Sequence, residues 1–435
     1  MRFMRALSVV ILAVGLVAMA CGSDDDDGTA TPASQSGTDI GPTPVAVTER
    51  AEPDGDPTSA GEAVTRFGSD LFLQLRSLTP DDNVSLSPTG LVTALAMVEP
   101  GATGTARDQL RQALAIDDPD SFHRSLNALE QSLESRPPTD LGDVEGDSGE
   151  IDVRMANAAY LQDGYRFEPA YLDTIGTHYG PVLSTVDFAP DPDAVARRIN
   201  QWVAEQTNDR ITELIPDGVL DPATVLALIN TLYLNASWLE PFDADRTADS
   251  TPFTRPDGTM VEVAMMEGAG NTSARGDGWV GATKRLNGEL SLQVILPDDG
   301  RFDDIAGSLD QVFAEYESGQ GDGGPLAVPR FETRSKVRPA DALKAMGVTD
   351  IFEPGNLRGM ADDPRLFVDK VLHEVYLAVD EDGIEAAAAT AVLVALTAAP
   401  AEPVAVRLDR PFLYRIVDER TGATLFIGQI MDPTA

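Results

Sequence analysis

The sequence predicts an α+β domain, because apolar residues recur at helical spacing through its first half, short apolar runs of strand length crowd its second half, and no linker divides the two. Residues 63–76 carry Phe67, Leu71, Phe72 and Leu75 on one helical face, and Pro88 opens a second helix through Leu91, Leu95 and Ala96; both are expected to be amphipathic. Residues 135–150 are acidic and broken by proline and glycine, which predicts a surface loop, and a strand follows over 153–161. The spacing of Val195, Ile199, Trp202 and Val203 predicts one long helix over 193–214. The apolar run 225–234 then reads as a buried strand. Shorter strands are expected at 290–296, 367–379, 404–408, 413–417 and 424–430. With no internal repeat, residues 61–435 are read as one domain.

Composition narrows the function. Seventy-one acidic residues against 32 basic ones give a formal net charge of −39, which repels nucleic acid. One cysteine permits no internal disulfide, and with three histidines no metal-ligand spacing appears, so neither metal nor cofactor is expected. Arg2 and Arg5 precede an apolar run over 6–20 that is too short to span a bilayer, which predicts a signal peptide over 1–20. Cys21 follows Val17-Ala18-Met19-Ala20 directly, a site that resembles a bacterial lipoprotein cleavage box, where the cysteine is acylated outside the cytoplasm. Residues 21–60 are rich in Asp, Thr, Pro, Gly and Ser with almost no large apolar side chains, so they are expected to form a disordered tether. The localisation this implies is extracytoplasmic, either lipid-anchored to the cell envelope or secreted.

The stretch from Glu381 to Val394 is the most informative. Taken with period two, Ile384, Ala386, Ala388, Thr390, Val392 and Val394 point one way and are uncharged, while Glu385 points the other way. One face can therefore be buried without stranding a charge. No proline interrupts residues 382–399, so every residue there can donate to a sheet, and Pro400 and Pro403 end that freedom. Helix propensity alone favours a buried helix at 385–396.

The pattern of Glu381, Gly383, Glu385, Ala386, Ala387, Ala388, Ala389 and Thr390 resembles the hinge of the reactive-centre loop of inhibitory serpins. The likeness runs through the whole domain. Val406-Arg407-Leu408-Asp409-Arg410-Pro411-Phe412 is similar to the family's signature near its carboxyl end, and Leu425-Phe426-Ile427-Gly428 to its final strand. Asn83-Val84-Ser85-Leu86-Ser87-Pro88 resembles the entry to its second helix, and Asn230 to Phe242 its central strand and breach.

The resemblance implies helices packed on a large central mixed β-sheet, additional smaller sheets and a mobile loop over about 381–403. It also implies that the chain is a protease inhibitor and not an enzyme. A serine protease cuts the loop, and the severed loop enters the main sheet before the acyl-enzyme is hydrolysed. Ser87, Asn230 and His373 match the shutter that hydrogen-bonds the strands that must part, and Trp238 matches the breach where entry begins. Gly383 is the implied hinge residue. Ile384 departs from the usual small polar residue, Gly90 from a hydroxyl, and Glu374 from a basic residue found in some relatives.

The family's interval from Gly383 puts the scissile bond at Thr397–Ala398, with Leu396 and Ala399 as alternatives. These apolar or small residues disfavour a trypsin-like target and fit an elastase-like or subtilisin-like one. The partners implied are extracytoplasmic serine proteases, and a monomer is expected. Residues 119–135 lack the basic cluster that binds glycosaminoglycans in some relatives.

Two rival readings remain open. One is a non-inhibitory relative that is cut as a substrate or serves as a binding module. The other is a serine protease, raised by Gly146-Asp147-Ser148-Gly149 and His123; its plainer reading is a flexible turn.

Overall fold

The computed structural model describes residues 42–139, 149–180, 182–385 and 403–435. The main sheet contains seven strands among these residues: β1 (Thr43–Pro44), β2 (Ile151–Gln162), β3 (Leu183–Val186), β4 (Leu226–Ser237), β5 (Phe331–Val337), β6 (Lys370–Val379) and β7 (Gly383–Ile384). Their spatial order is β1-β3-β2-β4-β7-β6-β5. A second seven-stranded sheet has Trp279–Leu286, Leu290–Pro297, Phe412–Asp418 and Thr424–Ile430 at its centre. A four-stranded sheet joins Ala248–Thr254, Met260–Ala269, Pro325–Pro329 and Val406–Arg407. The α+β expectation holds.

Helices α1 (Pro57–Leu78) and α2 (Pro88–Val98) begin where a capping side chain meets proline: Asp56 accepts from Thr58 N, and Ser87 from Gly90 N. α1 buries Phe67, Leu71, Phe72 and Leu75, the predicted face. α2 departs from expectation, since all of its residues are buried. It lies in the core between the main and second sheets, where no face is left for water.

Further helices follow at α3 (Gly104–Leu114), α4 (Pro119–Glu134), α5 (Pro169–Tyr179) and α6 (Pro192–Gln206). α6 packs Val195, Ile199 and Val203 on the outer face of the main sheet against Ala158, Ala227, Ile229 and Leu372. Each such fully buried side chain contributes about 1.5–3 kcal/mol.

Three expectations need correction. The helix predicted over 193–214 stops at Gln206, because Asn208 (φ 46°) and Asp209 (φ 59°) turn left-handed and residues 207–215 run on as a non-helical segment. The strand predicted from Phe367 begins at Lys370.

The third concerns the tether, which does not extend to residue 60. Thr43–Pro44 pairs with Ser184 and Thr185 at the edge of the main sheet, Val45 and Val47 pack on the core, and α1 starts at Pro57. Arg50 binds Glu130 at 2.7 Å and Asn127 at 2.8 Å, so backbone docking and one cation hold a segment too polar to be found by hydrophobicity.

Candidate functional site

The main sheet is parted at one end and closed at the other. Across the closed part β4 and β6 pair directly and parallel, from Ala227 with Lys370 to Leu232 with Val375. Beyond it β7 lies between them, antiparallel to both. Gly383 faces Ser237, and Ile384 faces Ala236 on β4 and Val379 on β6. The chain reverses from β6 into β7 through a tight turn in which Asp380 Oδ1 accepts from the backbone N of Asp382 (2.9 Å) and Gly383 (3.1 Å). Ile384, the departure from a small polar residue, is 1% exposed and joins the core between the two strands. The residue in the left-handed region is Glu385 (φ 55°) rather than Gly383, two residues before it.

The segment entering the sheet is gripped by its backbone carbonyls. Trp238 Nε1 donates to Asp380 O, Trp238 N to Asp382 O and Phe242 N to Glu381 O, each at 2.9 Å. Trp238 stands edge-on to Phe242, and Lys284 Nζ lies 4.3 Å from the Phe242 centroid. Burial pulls the Lys284 ammonium down to about 8. Glu381 accepts two hydrogen bonds from Arg330, at 2.6 and 3.1 Å, and one from Thr247 at 2.7 Å. Burial opposes ionisation there, but these bonds hold its carboxyl below the ordinary range. Glu385 is bound by Arg210 Nε.

Deeper in the sheet a buried polar chain crosses the seam. The Ser87 backbone N donates to His373 Nε2 (2.9 Å), so Nδ1 carries the proton and donates to Asn230 Oδ1 (2.5 Å). Asn230 Nδ2 donates in turn to Asn157 Oδ1 on β2 (2.5 Å). Asn230 and His373 are 0% exposed, and burial holds the imidazole neutral, down to about 3. Gly90 gives this chain room, since a Cβ there would lie 2.1 Å from Asn230 Nδ2. Glu374, on the opposite face of β6, is buried beside Lys336 (3.3 Å) and Arg334 (3.5 Å).

The structure thus brings Ser87, Asn230 and His373 into one hydrogen-bonded chain, and Trp238 to the mouth of the parted sheet with Glu381 and Gly383. Ala386, Ala387, Ala388, Ala389, Thr390, the bait positions Leu396, Thr397, Ala398 and Ala399, and Cys21 lie outside the described residues. Ser148 lies outside them too. His123 is enclosed on α4 between Tyr179 Oη (2.5 Å) and Glu99 (3.3 Å). Sequence reasoning missed Asn157, Arg210, Thr247 and Arg330; Asn157 is placed by the β2 to β4 register, which pairs it with Asn230. No group of metal-ligating side chains occurs among the described residues.

The family model described as Serpin (serine protease inhibitor) matches residues 62–433. An uncharacterised serpin-like protein of Thermococcus kodakarensis is 32% identical over 85% of this chain and 85% of its own length. The leukocyte elastase inhibitor of Xenopus laevis is 29% identical over 85% of this chain and 98% of its own length. The crystal structure of the thermophilic serpin tengpin in its native state superposes with a TM-score of 0.78 at 22% identity, covering 90% of this chain and 100% of that one. A mixed sheet parted at one end, with Gly383 and Ile384 between its strands, and a family match over nearly the whole domain settle descent: this chain belongs to the serpin family.

Proposed function

We propose that this chain is a single-use inhibitor of serine proteases, which traps an acyl-enzyme when its severed loop enters the main sheet between β4 and β6. The observation that carries this is the register of β7. From Ile384 six residues on is Thr390, and six residues back from Ala236 and from Val379 are Asn230 and His373. A loop that kept this register would place the Thr390 hydroxyl between the two shutter side chains at the moment their mutual hydrogen bond is broken. Every polar group there would find a new partner, so opening the seam would strand none of them. Ala386 and Ala388 would face the same interior, where small uncharged side chains fit.

The target is an elastase-like or subtilisin-like serine protease. The small and apolar bait at Leu396 to Ala399 supports this, as does likeness to a leukocyte elastase inhibitor. We propose also that Cys21 bears lipid and that the target is met outside the cytoplasm. Incorporation of an alkyne fatty acid that survives Cys21→Ala would remove that reading.

The inhibitor reading is tested by mixing the protein with an elastase and a subtilisin and searching for an adduct that survives denaturant. Ala388→Glu puts a charge into the sheet interior, a cost of several kcal/mol. It should turn the protein into a substrate that is cut at an unchanged rate with no adduct. An adduct that persists in this variant, or none with the unaltered chain while the loop is cut, would refute loop insertion as the trap.

A further inference from the structure

We propose that the cleft between α6 and the edge of the main sheet is a binding site for a small acidic saccharide, held by Arg198, Gln201, Trp202 and Glu205. The site lies apart from the seam and does not depend on the inhibitor reading above.

Two faces of α6 are put to different use. Val195, Ile199 and Val203 pack on the outer face of the sheet. Arg198, Gln201, Trp202 and Glu205, spaced i, i+3, i+4 and i+7 on a neighbouring stripe, line a cleft of about 340 Å³, a volume at the small end of the range for ligand sites. Across from them stand Tyr160 of β2, Ser184 of β3 and Pro44 of β1. Tyr160 is buried and meets the half-buried Trp202 edge-on, with 6.4 Å between ring centroids, which fixes the indole against the sheet.

The polar groups of the stripe have bonding capacity to spare. Arg198 is exposed and makes no ion pair with any described residue, whereas its neighbour Arg197 is drawn to Asp217 at 3.8 Å. Gln201 Nε2 donates to Glu205 Oε1 (3.3 Å), which leaves the Gln201 carbonyl and the second Glu205 oxygen open as acceptors.

An indole, a guanidinium and a pair of acceptors in one small cleft select among ligands. A pyranose ring has an apolar face of C–H groups to lie on Trp202 and a rim of hydroxyls to donate to Gln201 and Glu205. A flat aromatic acid would satisfy the indole and the guanidinium but would leave those acceptors against C–H edges. A carboxylate on the sugar gives Arg198 the partner it lacks, in a bidentate pair. Seven residues of helix put Glu205 about 10 Å from Arg198, so the acid is drawn to one end and repelled from the other. The ligand is thereby oriented. Net negative charge elsewhere on the chain does not forbid it, because at 0.1 M salt charges farther off than about 10 Å are largely screened.

Calorimetric titration of the full chain tests the site with glucuronic acid, cellobiouronic acid and N-acetylmuramic acid, each beside its neutral counterpart: glucose, cellobiose and N-acetylglucosamine. At least one acid should bind saturably and about 10-fold more tightly than its counterpart, the worth of a charge-assisted hydrogen bond. That acid should also change the tryptophan fluorescence. In Trp202→Phe the change should vanish, because Trp238 and Trp279, the other two tryptophans, are both 2% exposed. Arg198→Gln alters an exposed helix position, so it should bring the acid down to the affinity of the neutral sugar and leave the thermal midpoint unchanged. Saturable binding of none of the three acids, equal affinity for acid and neutral sugar, or an affinity unmoved by Arg198→Gln would each overturn the proposal. Benzoate bound in preference to every sugar would overturn it in favour of an aromatic acid.

Discussion

His373 has two jobs that conflict in acid. Its ring must stay neutral, because Nε2 accepts from Ser87 N while Nδ1 donates to Asn230, and a proton on Nε2 would remove the acceptor. Burial enforces this by lowering its protonation to about 3, whereas an exposed imidazole titrates near 6.5. Between these values the unfolded chain takes up a proton that the native state refuses, so His373 takes stability away as pH falls from 6.5 towards 3. The loss is about 1.4 kcal/mol per pH unit, or about 2 kcal/mol at pH 5. Glu130 works the other way, because burial raises its carboxyl to about 7 and the native state then holds a proton that the unfolded state has released. The two contributions partly cancel in the total. Thermal midpoints of the unaltered chain and of His373→Gln, taken from pH 7 to pH 5, separate them: the variant starts lower, and the gap between the two narrows as the pH falls. Parallel curves would mean that the shutter histidine does not titrate against the fold.

Among the elements, the amino-terminal strap at residues 43–51 and the segment 207–215 that follows α6 both grip the main sheet by polar and backbone contacts. Arg50 supplies the cation for buried Glu130, whose other oxygen accepts from Thr93 at 2.5 Å. Arg50→Ala should lower stability by about 1–3 kcal/mol at pH 8, where Glu130 needs its partner, and by clearly less at pH 6, where the carboxyl is protonated with or without it. Urea midpoints at the two pH values check this, and an equal loss at both would mean that the strap is held by its backbone alone. What could be read in advance follows the same physics. Phe67, Leu71, Phe72 and Leu75, or Val195, Ile199 and Val203, announce their helices because apolar burial is periodic, and the place of Gly383 at the parted sheet was legible only through likeness to a known hinge. The strap left little trace, since Val45 and Val47 are its only large apolar side chains and the rest is polar or backbone-docked. Gly176 within α5 was the one local hint: a Cβ there would lie 2.3 Å from Thr48 O. Asn157 was out of reach because its partner is set by strand register and not by its own neighbours.

At the scale of the whole molecule, the charge of −39 bears on the inhibitor reading proposed above, because it would shape which protease arrives before any bait is tested. Unpaired charge acts over about 10 Å at 0.1 M salt, farther than any contact in the loop, and a field of one sign attracts a basic partner and repels an acidic one. On that reading a small apolar bait chooses the pocket of the enzyme, while the charge of the body chooses its surface. The two filters are independent, because one is read after docking and the other before it. Association with a basic elastase-like protease should therefore slow by about 10-fold between 50 and 500 mM sodium chloride, while an acidic protease that accepts the same bait should start slower and speed up as salt rises. Stopped-flow rates with both enzymes, measured to the appearance of the denaturant-resistant adduct, decide the matter. The number of inhibitor molecules consumed per adduct should not change with salt in either case, since in the proposed mechanism loop entry follows the encounter and takes place inside the main sheet. Rates that ignore salt with both enzymes would leave the acidity of this chain without a part in choosing its target.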